Sequence, residues 1–160
     1  MPYPKRVAWI WILMVTALFF PGTTDGGHPN KIKKIDIEEI GEVIGNRGRY
    51  LLVFMAAWCA PCVKELPDIN GLYEKYRERG LKMVGISIDL DGPLAMQPIV
   101  DRLKIKFPVY WLGEAAIDAY RIRGVPYLIF INNGEIVERL LGQRSKAYLD
   151  KKFEAFLTQP

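Results

Sequence analysis

Cysteine and histidine are scarce in this sequence. Its 160 residues include two cysteines and one histidine, and the cysteines, Cys59 and Cys62, stand three positions apart. A domain held together by disulfides needs several cysteines, well separated along the chain, so this kind of scaffold is excluded. A zinc site needs about four ligands, which these residues could supply only together with a second chain. The two cysteines therefore require a local explanation.

The sequence also lacks a strong excess of charge of one sign, internal repeats and low-complexity segments. It has 22 Lys and Arg against 18 Asp and Glu, a net charge of +4, and the two signs are interspersed. This pattern is typical of an ordinary solvated surface and argues against nucleic-acid binding. Half of the residues are hydrophobic, which is enough to build the core of one domain of this length.

The one long apolar run is at the N-terminus. Met1–Arg6 ends in two positive charges, and Val7–Phe20 is apolar apart from one threonine. This combination predicts an export signal, so residues 1–22 are either a signal peptide or an N-terminal membrane anchor. A helix over the run reaches only ~21 Å, short of the ~30 Å hydrocarbon core, which favours a cleaved signal. An uncleaved anchor is favoured because the segment lacks a clear A-x-A-like cleavage site and because Trp9 and Trp11 lie near its charged end. Both interpretations stay open.

Beyond this segment the sequence predicts a flexible tether and then one domain. Residues 23–31 are rich in glycine, proline and polar residues and contain the single histidine, His28, to which we assign no role. Residues 32–160 alternate between strand and helix patterns. Strands are predicted at 32–35, 50–56, 81–88, 107–111, 127–131 and 135–141, and helices at 37–44, 59–79, 93–103, 114–120 and from 145. Alternating elements with a terminal hairpin and helix predict an α/β fold around a mixed sheet.

The cysteine pair falls where a buried strand gives way to a helix, in the segment Trp58-Cys59-Ala60-Pro61-Cys62. The first cysteine of such a pair sits at the helix N-terminus, where unpaired N–H groups and the dipole stabilise a thiolate and lower its pKa. The second lies one turn further along, within reach of a mixed disulfide. We therefore predict that Cys59 is the nucleophile and Cys62 the resolving thiol. A purely structural disulfide across so short a loop would stabilise little.

At this point the sequence resembles the thioredoxin superfamily, and within it the exported, membrane-linked TlpA/ResA-like branch. Ala57–Cys62 matches the active-site motif, and Pro67 matches the helix-kinking proline. Arg123–Pro126 matches the segment that carries the family's cis-proline, and Asn133–Glu135 matches its hairpin turn. The resemblance covers about Ile32–Leu157. It implies a thioredoxin-like α/β fold, a central mixed β-sheet flanked by helices, with the cysteines at the tip of one helix.

The sequence departs from classical thioredoxins at the position of their buried aspartate, which here is Val53. In the exported branch a glutamate after the second cysteine takes that place, and Glu65 matches it. The resemblance implies that Glu65 is a buried acid whose raised pKa serves proton transfer around Cys62. A solvent-facing helix glutamate is the alternative. A second departure is that Ile35–Ile44 predicts a strand and helix where the exported branch often opens with a hairpin.

The resemblance also implies a substrate-binding loop at the cis-proline. We expect the Val125–Pro126 bond to be cis, which leaves the backbone groups of Val125 free to pair with a substrate strand. Trp58 and Tyr127 are expected to flank the pocket, with ordinary packing as the alternative for both. X-Pro bonds are cis in only ~5–6% of cases in folded proteins, so this expectation comes from the family match and not from the dipeptide.

The function that the resemblance implies is thiol–disulfide exchange outside the cytoplasm, in the periplasm or on the outer face of the membrane. Ala60-Pro61 lacks the histidine of strongly oxidising relatives, which favours a reductase. Expected partners are the thiols and disulfides of exported proteins, including apocytochrome c, and a membrane thiol electron donor. We expect a monomer with no metal and no cofactor, because the Cys59–Cys62 sulfurs carry the electrons. A non-catalytic thiol-binding or chaperone module and a general cytoplasmic thioredoxin are the alternatives.

Overall fold

A computed structural model describes residues 30–159 of the chain. The predicted export segment, residues 1–22, and all of the predicted tether except Asn30 and Lys31 lie outside the described residues. Within residues 30–159, no helix is both long and apolar enough to cross a membrane. Asn30 is bonded to the domain, because its Nδ2 donates to the carbonyl of Phe107 and its own carbonyl accepts from Gln97 Nε2 at 3.0 Å.

Strands and helices alternate along most of the described chain. The strands are β1 (Lys33–Lys34), β2 (Arg49–Met55), β3 (Leu81–Ser87), β4 (Val109–Trp111), β5 (Tyr127–Asn132) and β6 (Glu135–Leu141). The helices are α1 (Ile37–Ile44), α2 (Ala60–Tyr76), α3 (Pro93–Leu103), α4 (Ala115–Tyr120) and α5 (Lys146–Thr158). A short 3₁₀ turn, Arg77–Arg79, continues α2.

The strands form one sheet in the order β1-β4-β3-β2-β5-β6. The first four strands of that order run parallel to one another, β5 is antiparallel to β2, and β6 is antiparallel to β5. β2 is central, and Val53 lies between Gly85 of β3 and Leu128 of β5. All residues from Tyr50 to Met55 are buried, which explains the continuous apolar run in the sequence. The predicted mixed sheet flanked by helices is confirmed.

Different helices cover the two faces of the sheet. Phe54 of β2 packs on Tyr120 of α4, with ring centroids 5.0 Å apart. Phe130 of β5 pairs with Leu51 of β2 and packs on Phe156 of α5 at 5.2 Å. Leu51 and Phe54 are an odd number of positions apart on one strand, so their side chains point to opposite faces. α4 and α5 therefore lie on opposite faces, with α1 in contact with α4 and α2 in contact with α5.

Two strands are each two residues shorter than predicted. The strand expected at 107–111 begins only at Val109, because Pro108 has no N–H with which to extend the ladder. The strand expected at 32–35 is reduced to Lys33–Lys34, which pairs with β4 alone at the edge of the sheet. Neither change affects the central strands that lead to the cysteines.

Helix ends follow from local side chains and backbone conformations. At the start of α1, Asp36 Oδ1 accepts from the N–H of Glu39 at 2.8 Å, and Glu39 Oε2 accepts from the N–H of Asp36 at 2.9 Å, which forms a capping box. The helix predicted over 59–79 ends as α-helix at Tyr76 and continues as the 3₁₀ turn. Gly80 then ends it with φ of 92°, a left-handed conformation that glycine adopts readily.

Candidate active site

Cys59 lies at the start of α2, directly after the loop that follows the central strand. It is the N-cap residue, with φ of −88° and ψ of 90°, and its Sγ accepts a hydrogen bond from the N–H of Cys62 at 3.2 Å. Pro61 lies in the first turn, where the helix has no partner for an N–H. A disulfide joins the two cysteines, whose Cα atoms are 5.3 Å apart. The helix dipole at this position favours negative charge on the first sulfur.

The two cysteines are covered in the disulfide form. Cys59 is 4% exposed and Cys62 is 1% exposed, whereas the neighbouring Trp58 is 67% exposed. This exposure is low for an attacking sulfur, because reactive thiols are usually partly open to solvent. The approach to Cys59 is therefore narrow, and the indole of Trp58 is the open surface beside it.

Asp89 fixes the loop before the cysteines, and the sequence alone did not single it out. Its Oδ1 accepts from the N–H of Ala57 at 2.8 Å, and its Oδ2 accepts from the hydroxyl of Ser87 at 2.8 Å. Its carbonyl oxygen accepts from Nε1 of Trp111 at 2.7 Å, and the residue is 2% exposed. A signal was present in the sequence, since two polar residues, Ser87 and Asp89, follow the apolar residues of β3 at the carboxyl end of the parallel β2–β3 pair.

Glu65 is a buried acid on α2, one turn beyond Cys62. It is 2% exposed, its Oε1 accepts from the backbone N–H of Arg144 at 2.7 Å, and its Oε2 is buried without a hydrogen-bond partner. Burial raises the pKa of Glu65, and the hydrogen bond and charge of Arg144 oppose that rise in part. Val53 is buried in the core and carries no acid. Glu65 is therefore buried, as predicted, and its catalytic role stays a prediction.

The loop before β5 lies beside the end of β2. The Val125–Pro126 peptide bond is cis, as predicted, and the carbonyl of Pro126 accepts from the N–H of Gly142 at 2.8 Å. Tyr127 pairs with Phe54 in the antiparallel register, so the loop reaches the end of the strand from which the chain leads to Cys59. The fold thus brings two segments that are distant in sequence to one end of the sheet.

Two cavities adjoin this loop, and the predicted substrate-binding residues Trp58 and Tyr127 line different ones. Trp58 and Val125 line a cavity of about 440 Å³; its other lining residues are Ile88, Leu90, Glu114, Ile117, Ile122, Arg123 and Gly124. Tyr127 lines a different cavity of about 380 Å³ together with Arg121, Arg123, Arg139 and Leu141. Its ring also packs near that of Phe54, at 6.2 Å between centroids. Trp58 and Val125 therefore share one cavity, and Tyr127, the first residue of β5, faces another.

Known sequences similar to this chain include a protein family and several thiol-disulfide oxidoreductases. A family profile described as the AhpC/TSA family matches residues 29–139. Thiol-disulfide oxidoreductase ResA of Bacillus thuringiensis (strain Al Hakam) is 31% identical over 121 residues, which cover 74% of this chain and 66% of that protein, just under two thirds of its length. Thiol-disulfide oxidoreductase ResA of Oceanobacillus iheyensis is 29% identical over 163 residues, covering 88% of this chain and 84% of the relative.

Solved structures share the same architecture. A thiol:disulfide interchange protein of the thioredoxin family from Chlorobium tepidum TLS has a TM-score of 0.64 at 26% identity, covering 73% of this chain and 84% of the other. StoA from Bacillus subtilis has a TM-score of 0.59 at 25% identity, covering 68% and 84%. The arrangement of mixed sheet, helices and N-terminal cysteine pair described above is therefore a thioredoxin-like fold.

Proposed function

The chain belongs to the AhpC/TSA family, and from this membership and the position of its cysteine pair we propose that it is a thiol–disulfide oxidoreductase of the ResA type. One observation carries the proposal: Cys59 is the N-cap of α2, and its Sγ accepts the N–H of Cys62. The same N–H can stabilise a thiolate once the disulfide is reduced. The profile match and the relatives support the same chemistry.

The exchange proceeds in two displacements. The Cys59 thiolate attacks one sulfur of a substrate disulfide, a mixed disulfide forms, and the other substrate sulfur leaves as a thiolate. The Cys62 thiolate then attacks Sγ of Cys59, forms the internal disulfide and releases the second substrate thiolate. Two electrons pass from the protein to the substrate, and no further cofactor is required because the sulfurs carry them.

Glu65 is proposed to take the proton that Cys62 must lose before the second displacement. Three features support this role: Glu65 lies on the same helix one turn away, its Oε2 has no partner, and burial raises its pKa, which makes it a better proton acceptor than an exposed glutamate. Once protonated, the carboxyl is neutral and suits its buried site better than the carboxylate does. Glu65 would return the proton when the pair is reduced again.

The direction and location of the reaction are also proposals. The Ala60-Pro61 dipeptide favours a reductase, and the apolar segment over residues 7–20 favours a site outside the cytoplasm, as a signal or an anchor. The substrates would be disulfides of exported proteins, with apocytochrome c as one candidate, and the electrons would come from a thiol donor in the membrane. We propose that the protein works as a monomer.

Single-thiol variants test the proposal directly, because the chain has only two cysteines. With a disulfide-containing protein as substrate, Cys62→Ser is expected to accumulate a mixed disulfide, and Cys59→Ser is expected to form none. Both should lose turnover with dithiothreitol as the electron source. If Cys59→Ser retained the biological function, the protein would be a binding or chaperone module instead.

The reduction potential tests the direction. Equilibration with glutathione buffers, followed by thiol alkylation, gives the potential of the pair. A reductase should have a potential nearer to that of thioredoxin than to that of strongly oxidising proteins such as DsbA. A value at the oxidising end would reverse the proposed direction while leaving the exchange chemistry intact.

A further inference from the structure

The cavity lined by Tyr127 is basic and adjoins the cis-proline loop, since Arg123 and Tyr127 stand on either side of Val125–Pro126 in the chain. Three of its lining residues are arginines, Arg121, Arg123 and Arg139, and Leu141 completes the wall. We call this site the arginine cavity. None of its lining residues is acidic, which distinguishes it from the neighbouring apolar cavity that Trp58 lines.

The positive charge of the arginine cavity is not neutralised by the domain. Within residues 30–159, none of the three guanidinium groups has a carboxylate within 4.0 Å, whereas Arg77 and Arg79 both form ion pairs. Arg139 Nη1 donates to the carbonyl of Tyr120 at 2.7 Å, a bond that anchors this side chain at the end of α4. The remaining N–H donors are open to a ligand.

The fold assembles this cluster from separate elements. Arg121 and Arg123 lie in the segment between α4 and β5, and Arg139 lies on β6. In the β5–β6 register Tyr127 pairs with Leu141, and Arg139 is two positions before Leu141, so these side chains share one face of the sheet. Strand pairing thus fixes the position of Arg139, whereas Arg121 and Arg123 are placed by the segment that leads into β5.

The chemistry of the cavity favours carboxylates. A guanidinium presents a planar set of donors that matches the two oxygens of a carboxylate, and such charge-assisted bonds are among the strong ones. Arg123 lines both the arginine cavity and the cavity that Val125 and Trp58 share. A chain paired with Val125 would therefore pass within reach of the arginines.

We propose that the arginine cavity selects substrates that carry aspartate or glutamate close in sequence to the reacting cysteine. This inference rests on the proposed exchange activity and specifies its substrate class. The Cys59–Cys62 pair reacts with the disulfide, and the cavity binds the neighbouring carboxylates. Binding of acidic segments also steers the substrate to the site, so the effect should weaken as salt screens the charges.

Two peptides test the proposal. Each contains one disulfide, one with two glutamates beside the first cysteine and the other with glutamines there. The reduced protein is expected to react with the acidic peptide about fivefold faster, since exposed charge pairs are each worth up to about 1 kcal/mol. The ratio should fall toward one in the double variant Arg121→Gln/Arg139→Gln, and also in Arg123→Gln. Arg102→Gln removes the same charge from an exposed site on α3 and should keep the ratio.

A binding measurement separates this proposal from the exchange activity. The same peptides with serine in place of cysteine cannot react, so fluorescence anisotropy reports their binding alone. If acidic peptides bind preferentially but no peptide is reduced, the exchange activity fails and the cavity assignment stands. Equal rates and equal binding of the two peptides, or an equal loss in Arg102→Gln, would overturn the cavity assignment and leave the exchange activity standing.

Discussion

At the scale of single residues, Glu65 is a buried carboxyl with one oxygen that has no hydrogen-bond partner. A carboxyl buried to this degree normally has both oxygens hydrogen-bonded, because an unsatisfied buried polar atom costs about 1–3 kcal/mol. Here only Oε1 has a partner, the N–H of Arg144. The charged form is therefore penalised in the folded state, and the free energy of unfolding should depend on the protonation of this one group.

We predict that Glu65→Gln changes the pH dependence of stability. Because the pKa of Glu65 is raised in the folded protein, the folded state holds its proton more tightly than the unfolded chain does. The free energy of unfolding should therefore fall as pH rises from the ordinary glutamate pKa through the raised one, and stay lower above it. Glutamine keeps an acceptor for the N–H of Arg144 but does not titrate, so the free energy of unfolding of the variant should not decrease with pH in this way. The variant should therefore gain stability relative to the wild type toward neutral pH.

Urea unfolding across a series of pH values measures this effect. Glu74→Gln, an exposed glutamate on the same helix, is the matched control and should follow the wild-type profile. In the exchange reaction, Glu65→Gln should slow the second displacement and flatten its pH profile if Glu65 takes the proton from Cys62. Parallel stability profiles for wild type and Glu65→Gln would contradict the raised pKa.

At the scale of elements, the active-site loop depends on a neighbouring strand. Parallel pairing of β2 and β3 places the end of β3 next to the loop that leads to Cys59. The carboxylate of Asp89, just beyond β3, accepts hydrogen bonds from the N–H of Ala57 and the hydroxyl of Ser87. The N-cap position of Cys59 is thus supported from outside its own helix.

We predict that Asp89→Ala destabilises the fold by about 1–3 kcal/mol, because it leaves the buried hydroxyl of Ser87 and the partly buried N–H of Ala57 without their acceptors. It should also slow the exchange reaction, since the loop that positions Cys59 loses its anchor. Asp89→Asn keeps the Oδ1 acceptor and should recover most of both losses. Denaturant unfolding and the rate of peptide disulfide reduction measure the two effects, and an alanine variant with wild-type stability would show that the loop holds its shape without this bond.

At the scale of the whole molecule, the proposed location depends on residues 1–22, outside the described structure. Two basic residues followed by an apolar run predict export, whether the segment is cleaved or retained. The thioredoxin-like domain would then face a compartment in which disulfides form and persist. A reductase placed there would need electrons delivered from the membrane.

We predict that the full chain, expressed in bacterial cells, exposes its reduced thiols outside the cytoplasmic membrane. A membrane-impermeant maleimide, added to intact cells after an impermeant reductant, should label Cys59 or Cys62. A chain that lacks residues 1–22 should stay inside and escape labelling until the cells are lysed. Recovery of the unlabelled full chain in the soluble cytoplasmic fraction would favour the general cytoplasmic thioredoxin.

Local sequence determined the positions of the strands, the helices and the cysteine pair. Apolar runs identify the buried strands because a strand covered on both faces has no polar side, and the capping box at Asp36 involves residues only three apart. The N-cap position of Cys59 follows in the same way from a strand that turns into a helix. The family resemblance, read from short motifs, added the cis bond at Pro126 and the burial of Glu65.

Only the tertiary structure decided what surrounds the cysteines. Asp89 is 32 positions from Ala57, and Arg144 is 79 positions from Glu65, so the local sequence does not identify the partner in either bond. Trp58 and Tyr127 were both expected to flank the substrate pocket. Trp58 lines the cavity that it shares with Val125, and strand pairing places Tyr127 at the arginine cavity. Contacts of this kind depend on which strands pair and in which register, and a shift of one residue would turn each side chain to the opposite face.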